Sequence, residues 1–214
     1  QKVAGRRRGR VKTFVLAECL ENKGRFLKPL EKTVKALCAE PTWLWPAHDR
    51  NLRNLHGEQI DIDLGSSALG YDLALASYLL VDRLSQNVRE LIRKKVRRRI
   101  ITPFLKMVRG KRRPNWWLDC TNNWNAVCLA GVTGAALAQV ESRRTRAVFI
   151  AAAEKYSRNF LSGFTDGGYC SEGVGYWNYG FGHYVELAEA VYRATDGGVD
   201  LMDRRGVRAP AGFG

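Results

Sequence analysis

The stretch SQNVRELIRKKVRRRIITPFLKMV, residues 85–108, decides the helical character of this chain. Apolar residues recur in it at every fourth position: Val88, Ile92, Val96, Ile100, Phe104 and Val108. Side chains three to four positions apart lie on one face of an α-helix, so the stretch predicts a helix with one buried stripe and an arginine-rich outer face. Ser85 is placed to cap this helix, and Pro103 predicts a kink or an early end.

Helical spacing continues along most of the chain, and the sequence does not alternate in the way typical of strands. Residues 11–21 and 29–40 predict two short amphipathic helices, with Gly24 between them suited to a left-handed cap. Further helices are predicted from Ser66 or Ser67 to about residue 82, and at about 124–139, 146–160 and 177–194.

About seven helices joined by short loops predict an all-α fold of antiparallel helical hairpins, arranged as a bundle, a solenoid or a toroid. No internal repeat is visible, which favours a toroid of non-identical hairpins with a ligand groove at one end. Residues 1–195 are expected to form this helical domain. Residues 196–214 lack periodicity and are expected to form an irregular, loose tail.

The 214-residue chain carries 35 Lys and Arg against 21 Asp and Glu, a formal net charge of +14. A field of this sign attracts polyanions and makes their capture sensitive to salt. Anionic polysaccharide and nucleic acid are both compatible with the charge, which by itself does not distinguish them.

The five cysteines form no CxxC pair and no metal-ligand spacing with the histidines, so neither a metal site nor a cofactor is predicted. Cys38 and Cys128 lie within apolar runs and are expected to be buried thiols. No apolar run reaches the ~20 residues that a membrane span requires, so no membrane partner is expected. The basic residues 1–10 do not resemble a signal peptide.

Two segments place amides, aromatic rings and a carboxylate where helices are expected to begin. The first is TNNWNAVC, residues 121–128, and the second is DGGYCSEGVGYWNY, residues 166–179. One of Asn122 and Asn123 suffices to cap a helix, so the asparagines around Trp124 indicate that at least one amide faces a groove. Amides mixed with aromatic faces suit an extended sugar polymer.

In the second segment, Tyr176, Tyr179 and His183 are three and four residues apart and therefore share one helix face. Tyr179 is expected to face the groove, because glycines precede it and Trp177 and Asn178 lie beside it. The alternative interpretation is that His183 has a structural or surface role.

Two further positions carry open alternatives. Trp116 and Trp117 follow the basic loop 109–114, and either they stack on sugar rings or one of them anchors the loop to the core. His48 lies beside Asp49, which either orients the imidazole towards a ligand or pins the loop.

Removal of a proton next to a carboxylate, as in β-elimination on a uronic acid, is the chemistry that joins these residues. That proton is barely acidic, because ionisation adds a second negative charge to the same group, and stabilising this charge is the main task. An amide such as that of Asn123 can do so. A tyrosine, with an ordinary pKa of about 10, acts as the base only where nearby positive charge favours its phenolate, and a basic domain is expected to supply that charge.

The sequence resembles the α-helical domain of heparinase II/III-like polysaccharide lyases, a family that includes alginate and oligoalginate lyases. The resemblance covers nearly the whole chain. The motifs that carry it are residues 122–128, the loop residues 166–168, 172–173 and 175–180, and the upstream residues 45–49 and 62–64.

The resemblance implies an incomplete (α/α) toroid that cleaves polysaccharides containing uronic acids by β-elimination, in the periplasm or outside the cell. The family's helical domain is normally followed by an antiparallel β-sandwich domain. That domain would begin near Gly214 and is expected to be missing from this chain.

The family's carboxylate-neutralising Asn matches Asn123, and its catalytic Tyr matches Tyr179, with Tyr176 as the alternative. Glu172 matches a loop acid expected to position the substrate. His183 is the residue of this chain that could replace a histidine which some relatives take from the β-sandwich domain. Groove residues expected to bind the polymer are Asn122, Trp124, Trp117, Trp177, Asn178 and His48.

Two other functions compete with the lyase. A non-catalytic helical module would grip glycosaminoglycans or nucleic acids through the arginine-rich face of residues 89–99, with nucleic acid the less favoured partner. A glycoside hydrolase would need paired carboxylates, for which Glu172 and Asp166 are the one convenient pair.

Overall fold

The computed structural model describes residues 2–213, apart from the side chains of Lys2 and Ala4. Within this range there is no β-strand, and one isolated antiparallel bridge joins Phe164 to Cys170. The predicted all-α class is confirmed. The helices are α1 (Lys2–Glu21), α2 (Leu27–Ala39), α3 (Leu64–Leu79), α4 (Gln86–Val96), α5 (Thr102–Val108), α6 (Asn123–Gln139), α7 (Arg143–Leu161), α8 (Val174–Ala194) and α9 (Arg208–Ala211).

Several helices begin earlier than the sequence predicts, and contacts of α1 and α3 explain two of these differences. Helix α1 begins nine residues earlier than expected, because its basic first half has partners: the Arg8 guanidinium lies 4.3 Å from the centroid of the Trp45 ring and 3.5 Å from the carboxylate of Glu40. Helix α3 is capped by Asp63 rather than by Ser66 or Ser67. Asp63 accepts a hydrogen bond from the Ser66 backbone N–H, and the Ser66 hydroxyl accepts one from the Asp63 N–H, which together form a capping box.

The predicted stripe of residues 85–108 is interrupted by a π-helical turn at Arg97–Ile101. Val88, Ile92, Val96, Ile100 and Phe104 are all fully buried. An α-helix has 3.6 residues per turn, so a spacing of four drifts around its axis, and the extra residue of a π turn corrects part of that drift. The same turn precedes Pro103, where a kink was expected.

The helices pack in two layers. In one layer α1 contacts α3, α3 contacts α6, and α6 contacts α8. In the other, α2 packs on α4, and α5 packs on α7. Consecutive helices also pair across the layers, as α1 with α2, α3 with α4 and α6 with α7. Contacts between consecutive helices joined by short loops are what the expected helical hairpins require.

Helices α3 and α6 make the closest approach, and small residues permit it. A Cβ at Gly131 of α6 would lie 2.8 Å from the Ser67 backbone of α3, so any larger residue would push the two helices apart.

The cysteines are packed as single side chains, without disulfides. All five are free thiols, and Cys38 and Cys128 are buried as predicted.

The segment after Thr195, expected to be loose, is packed against α8 over its described residues. Leu201 and Val207 are buried, and the Tyr184 hydroxyl donates to the Leu201 carbonyl at 2.6 Å. Scattered apolar residues hold this segment although it has no helical period. Gln1 and Gly214 lie outside the described residues. None of the described helices is both long enough and apolar enough to cross a membrane.

Candidate functional site

The N-terminal ends of α3, α6 and α8 lie together at one end of the molecule. Asp63, the cap of α3, accepts a hydrogen bond from Nδ1 of His48 at 2.6 Å. The His48 ring in turn lies 4.6 Å from the Trp124 ring in the first turn of α6. The start of α6 is joined to the loop before α8 by hydrogen bonds from Asn123 to Glu172. The two segments singled out in the sequence therefore meet.

The three asparagines around Trp124 have three different environments. Asn122 is the N-cap of α6, and its Oδ1 accepts from the Trp124 N–H at 3.2 Å. Asn125 is fully buried, and its Nδ2 donates to the carbonyls of Trp117 and Leu118. Asn122 and Asn125 thus serve the helix start and the adjoining loop.

Asn123 is bound to Glu172 by three short contacts. Its Nδ2 lies 2.8 and 2.9 Å from the two carboxylate oxygens, and its backbone N–H donates to Oε2 at 3.0 Å. Only 2% of Asn123 is exposed, and its Oδ1 is buried without a hydrogen-bond partner among the described residues. The expected amide facing an open groove is therefore corrected: in this conformation a carboxylate of the protein itself occupies the donors of Asn123.

Glu172 is held at this position by the backbone that follows it. Gly173, the residue before α8, has a φ of +91°, a conformation that side-chain-bearing residues rarely adopt. The Glu172 carboxylate lies at the start of α6, where the helix dipole and an N–H group without an intrahelical partner favour an anion. The loop and the helix start thus form a carboxylate-binding position.

Tyr179 and His183 lie one turn apart on α8, and Gly180 between them packs against Asn123. A Cβ at Gly180 would lie 3.1 Å from the Cβ of Asn123, so the backbone next to Tyr179 touches that residue. The Tyr179 and His183 rings meet edge to face at 4.7 Å. Nδ1–H of His183 donates to the Tyr179 carbonyl at 2.7 Å, which leaves Nε2 as its second ring nitrogen for a ligand. Tyr179 is 39% exposed and Tyr176 is 53% exposed.

The electrostatic environment of Tyr179 differs from the prediction. Burial is the main cause that raises the pKa of its phenol above the ordinary value of 10. No cation of the described residues contributes to the shift. The positive field expected at this tyrosine is therefore not found.

The paired tryptophans have separate roles. Trp117, predicted to bind substrate, is 1% exposed, and its indole N–H donates to the Ile62 carbonyl at 2.7 Å. Its burial corrects that prediction, since the ring is an anchor between two loops. Trp116 is 58% exposed and lies 4.8 Å from the Trp124 ring.

Trp116, Trp124 and His48 line an open cavity of about 410 Å³, the aromatic pocket, whose polar wall includes Asn115, Asp61 and Gln59. Trp177, by contrast, donates its indole N–H to the Pro210 carbonyl at 3.0 Å and packs on Phe181. It joins α8 to the segment near α9. Asn178 is exposed on α8.

A second cavity of about 610 Å³ lies between α1, α3, α6 and α8, and His183 lines it. Asp72 and Tyr71 of α3 also line it, and the sequence analysis missed both. Burial raises the pKa of Asp72, while Lys12, 3.4 Å away, lowers it. An aspartate within the otherwise apolar run of α3 was the signal that could have revealed this position.

The candidate site thus combines the Asn123–Glu172 pair with the adjoining stretch of α8 that carries Tyr179 and His183, and with the aromatic pocket beside Trp124. Within residues 2–213, no cluster of three or more His, Cys, Asp and Glu side chains could hold a metal ion. Neither models of known protein families nor curated proteins gave a match to this sequence.

Proposed function

We propose that this protein is a polysaccharide lyase that cleaves a polymer containing uronic acids by β-elimination. The observation that carries the proposal is the carboxylate-binding position at the start of α6, where Asn123 packs against Gly180 of α8, the residue next to Tyr179. A uronate carboxylate has the same chemistry as the Glu172 side chain now bound there. The proton next to that carboxylate would then face α8.

The packing order supports the family resemblance on which this proposal also rests. Hairpins whose first helices contact one another in sequence, with the second helices outside them, are the arrangement expected of an (α/α) toroid. The ligand groove of such a fold lies at the end where loops gather, which is the end that carries Asn123 and Glu172. A β-sandwich partner domain belongs to the same proposal.

Charge stabilisation is assigned to the start of α6. When the substrate loses its proton, the second negative charge on its carboxylate is stabilised by the Asn123 amide and by the N-terminal dipole of the helix. Both groups are fixed before reaction, so they cost no reorganisation. Glu172 must give up these donors, at least in part, because two carboxylates sharing one amide repel each other.

Proton transfer is assigned to Tyr179. As the phenolate it abstracts the proton next to the carboxylate, and as the resulting phenol it returns a proton to the leaving oxygen. Its raised pKa makes the phenolate scarce at neutral pH but strongly basic when formed. His183 contacts the Tyr179 ring and is the second candidate for the base. Its Nδ1–H donates to the Tyr179 carbonyl, and its Nε2 takes no part in that hydrogen bond.

Binding of the polymer is assigned to the aromatic pocket. The exposed face of Trp116 and the adjoining Trp124 and His48 rings give a sugar chain apolar surfaces, and Asp61, Gln59 and Asn115 can hydrogen-bond its hydroxyl groups. A glycoside hydrolase is less well supported. Its first carboxylate would be Glu172, which is bound by Asn123, and its second Asp166, which is exposed in the preceding loop.

A panel of heparin, heparan sulfate, hyaluronan, alginate and glucuronan tests the proposal. The expected result is ultraviolet absorbance from new unsaturated uronate ends with at least one polymer, because elimination leaves a double bond conjugated to the carboxylate. Reducing ends formed without that absorbance would indicate hydrolysis. Binding of the polymers without any product would instead favour the non-catalytic module. The exposed cations that lack an ion-pair partner support that alternative.

The tryptophan pair gives a second prediction. Trp117→Ala should lower the free energy of unfolding by about 3–5 kcal/mol, because a fully buried ring and its hydrogen bond to Ile62 are lost. Trp116→Ala should change stability by about 0.5 kcal/mol or less. It should weaken polymer binding about 5- to 30-fold, as expected for loss of 1–2 kcal/mol at a contact ring. Urea unfolding and calorimetric titration measure the two effects, and the opposite pattern would contradict these assignments.

A further inference from the structure

A third and larger cavity, of about 970 Å³, lies beside the arginine-rich part of the long helix and outside the candidate site. Seven Lys or Arg residues and two carboxylates line it. We call it the basic cleft and define it by its cations Lys94, Arg97, Arg98, Lys106, Arg112 and Arg113. Its far wall is the loop of residues 57–61.

Most of these cations have no counter-charge. Arg112 contacts Asp61, and Arg53, on the rim, lies 3.4 Å from Glu58. Among the described residues, no carboxylate lies within ion-pair distance of the other five cations, which are all exposed: Lys94, Arg97, Arg98, Lys106 and Arg113. Like charges gathered on one surface repel each other, and an anion in the cleft would relieve that repulsion.

The π turn contributes to this grouping. It turns Arg99 inward, where the guanidinium lies 4.7 Å from the centroid of the Trp43 ring and donates to the carbonyls of Glu40 and Pro41. Arg97 and Arg98 remain outside, at the cleft. π turns inside helices are frequent at functional sites, since they cost stability unless they place a side chain usefully.

The cleft is continuous with the aromatic pocket. Gln59, Asp61 and Asn115 line both cavities. Burial alone would raise the pKa of Asp61, but hydrogen bonds from Asn54, Asn115 and Gln59 and the charge of Arg112 lower it below 3.8. Asp61 is therefore held ionised and fixed between the two cavities by Asn54, Gln59, Asn115 and Arg112, which all donate to its carboxylate.

We propose that the basic cleft is a second anion-binding site, which takes the sulfate or carboxylate groups of the polysaccharide whose neighbouring sugars lie in the aromatic pocket. The identity of the polymer rests on the proposed function. Nucleic acid is the competing polyanion, because the same cations would also attract its phosphates, and the titrations below distinguish the two.

The test uses Tyr179→Phe as the background, in which cleavage is expected to be about 10²- to 10⁴-fold slower during titration with a heparin oligosaccharide. Adding Arg97→Ala and Arg98→Ala should weaken binding about tenfold or more, as expected for two lost charge-assisted contacts, and should reduce its dependence on salt. The matched control adds Arg143→Ala and Arg144→Ala, which remove the same charge from exposed positions at the start of α7. This control should bind nearly as tightly as the background protein.

Equal weakening by the two double variants would overturn the proposal, since net charge and not the cleft would then hold the polymer. Loss of binding to a single-stranded oligonucleotide with unchanged binding of the oligosaccharide would overturn it in favour of nucleic acid. The binding result does not depend on catalysis. If the oligosaccharide binds through the cleft but the wild-type chain forms no unsaturated products, this inference holds and the lyase proposal fails.

Discussion

Tyr179→Phe is expected to lower kcat/KM for β-elimination about 10²- to 10⁴-fold, the contribution of a well-placed proton-transfer group. The substitution removes only the hydroxyl from a ring that is 39% exposed, so the free energy of unfolding should change by about 0.5 kcal/mol or less. Initial rates of ultraviolet absorbance measure the loss. Thermal unfolding of the variant shows that the fold is intact.

The matched control is Tyr192→Phe, which removes the same hydroxyl from a 46% exposed ring near the far end of α8. Its activity should equal that of the wild type. Tyr176→Phe compares the two tyrosines that the sequence left open. If Tyr176→Phe abolishes elimination and Tyr179→Phe does not, the assignment of the proton-transfer residue is wrong.

The pH profile of the wild type identifies the base. A base works only when deprotonated, and burial raises the pKa of Tyr179 above 10. With Tyr179 as the base, kcat/KM should therefore rise about tenfold per pH unit from neutrality and continue to rise above pH 9. With His183 as the base, the rise should end above the ordinary histidine pKa of about 6.5. A plateau already reached at pH 7.5 would reject the tyrosine.

Asn123→Ala has the second-largest expected effect, a loss of about 10²- to 10³-fold in kcat, typical of removing one donor that stabilises a developing charge. It also removes the side-chain contacts to Glu172 from a residue that is 2% exposed, so it should destabilise the fold by about 1–3 kcal/mol. Activity is therefore compared at a temperature where both proteins are folded, as judged by circular dichroism.

Asn125→Ala separates the two effects. Asn125 lies two residues further along α6 and is also a buried amide with two hydrogen bonds, so its removal should cost similar stability. It makes no contact with Glu172, and the folded variant should keep most of its activity. An equal loss of kcat in both variants would mean that Asn123 acts only by holding the fold.

Glu172→Gln tests whether the carboxylate competes with the substrate. Glutamine keeps an oxygen that accepts from Nδ2 of Asn123 but has no charge to repel a uronate. Relief of about 1 kcal/mol of repulsion should lower KM about fivefold. If this variant loses all turnover while Tyr179→Phe remains active, Glu172 is itself the catalytic acid and a hydrolase becomes the better interpretation.

Local patterns sufficed to predict most helices and the buried stripe of residues 85–108. The spacing of Val88, Ile92 and Phe104 predicts that they share one buried helix face, because residues three to four positions apart lie on the same side of a helix. The start of α1 and the packing of residues 196–213 were mispredicted. Both depend on partners distant in sequence, such as Trp45 for Arg8 and α8 for Leu201.

The candidate site shows the same division. Sequence alone indicated Asn123, Glu172, Tyr179 and His183 as unusual residues, since helix starts rarely need so many amides and rings. It did not reveal that Glu172 binds Asn123, that Trp117 is buried while Trp116 is exposed, or that Tyr179 lies apart from the cations.

The sequence by itself determined that this chain is helical, which face of its amphipathic helices is buried, and which residue types are available for chemistry, because helix periodicity and capping act over a few neighbouring positions. Only the tertiary structure decided which of those residues meet and what surrounds them. Burial, hydrogen-bond partners and pKa shifts arise from groups that are distant in sequence and close in the fold. Asn123 and Glu172 are 49 residues apart, and His48 and Asp63 are 15 residues apart. No local sequence pattern encodes such contacts.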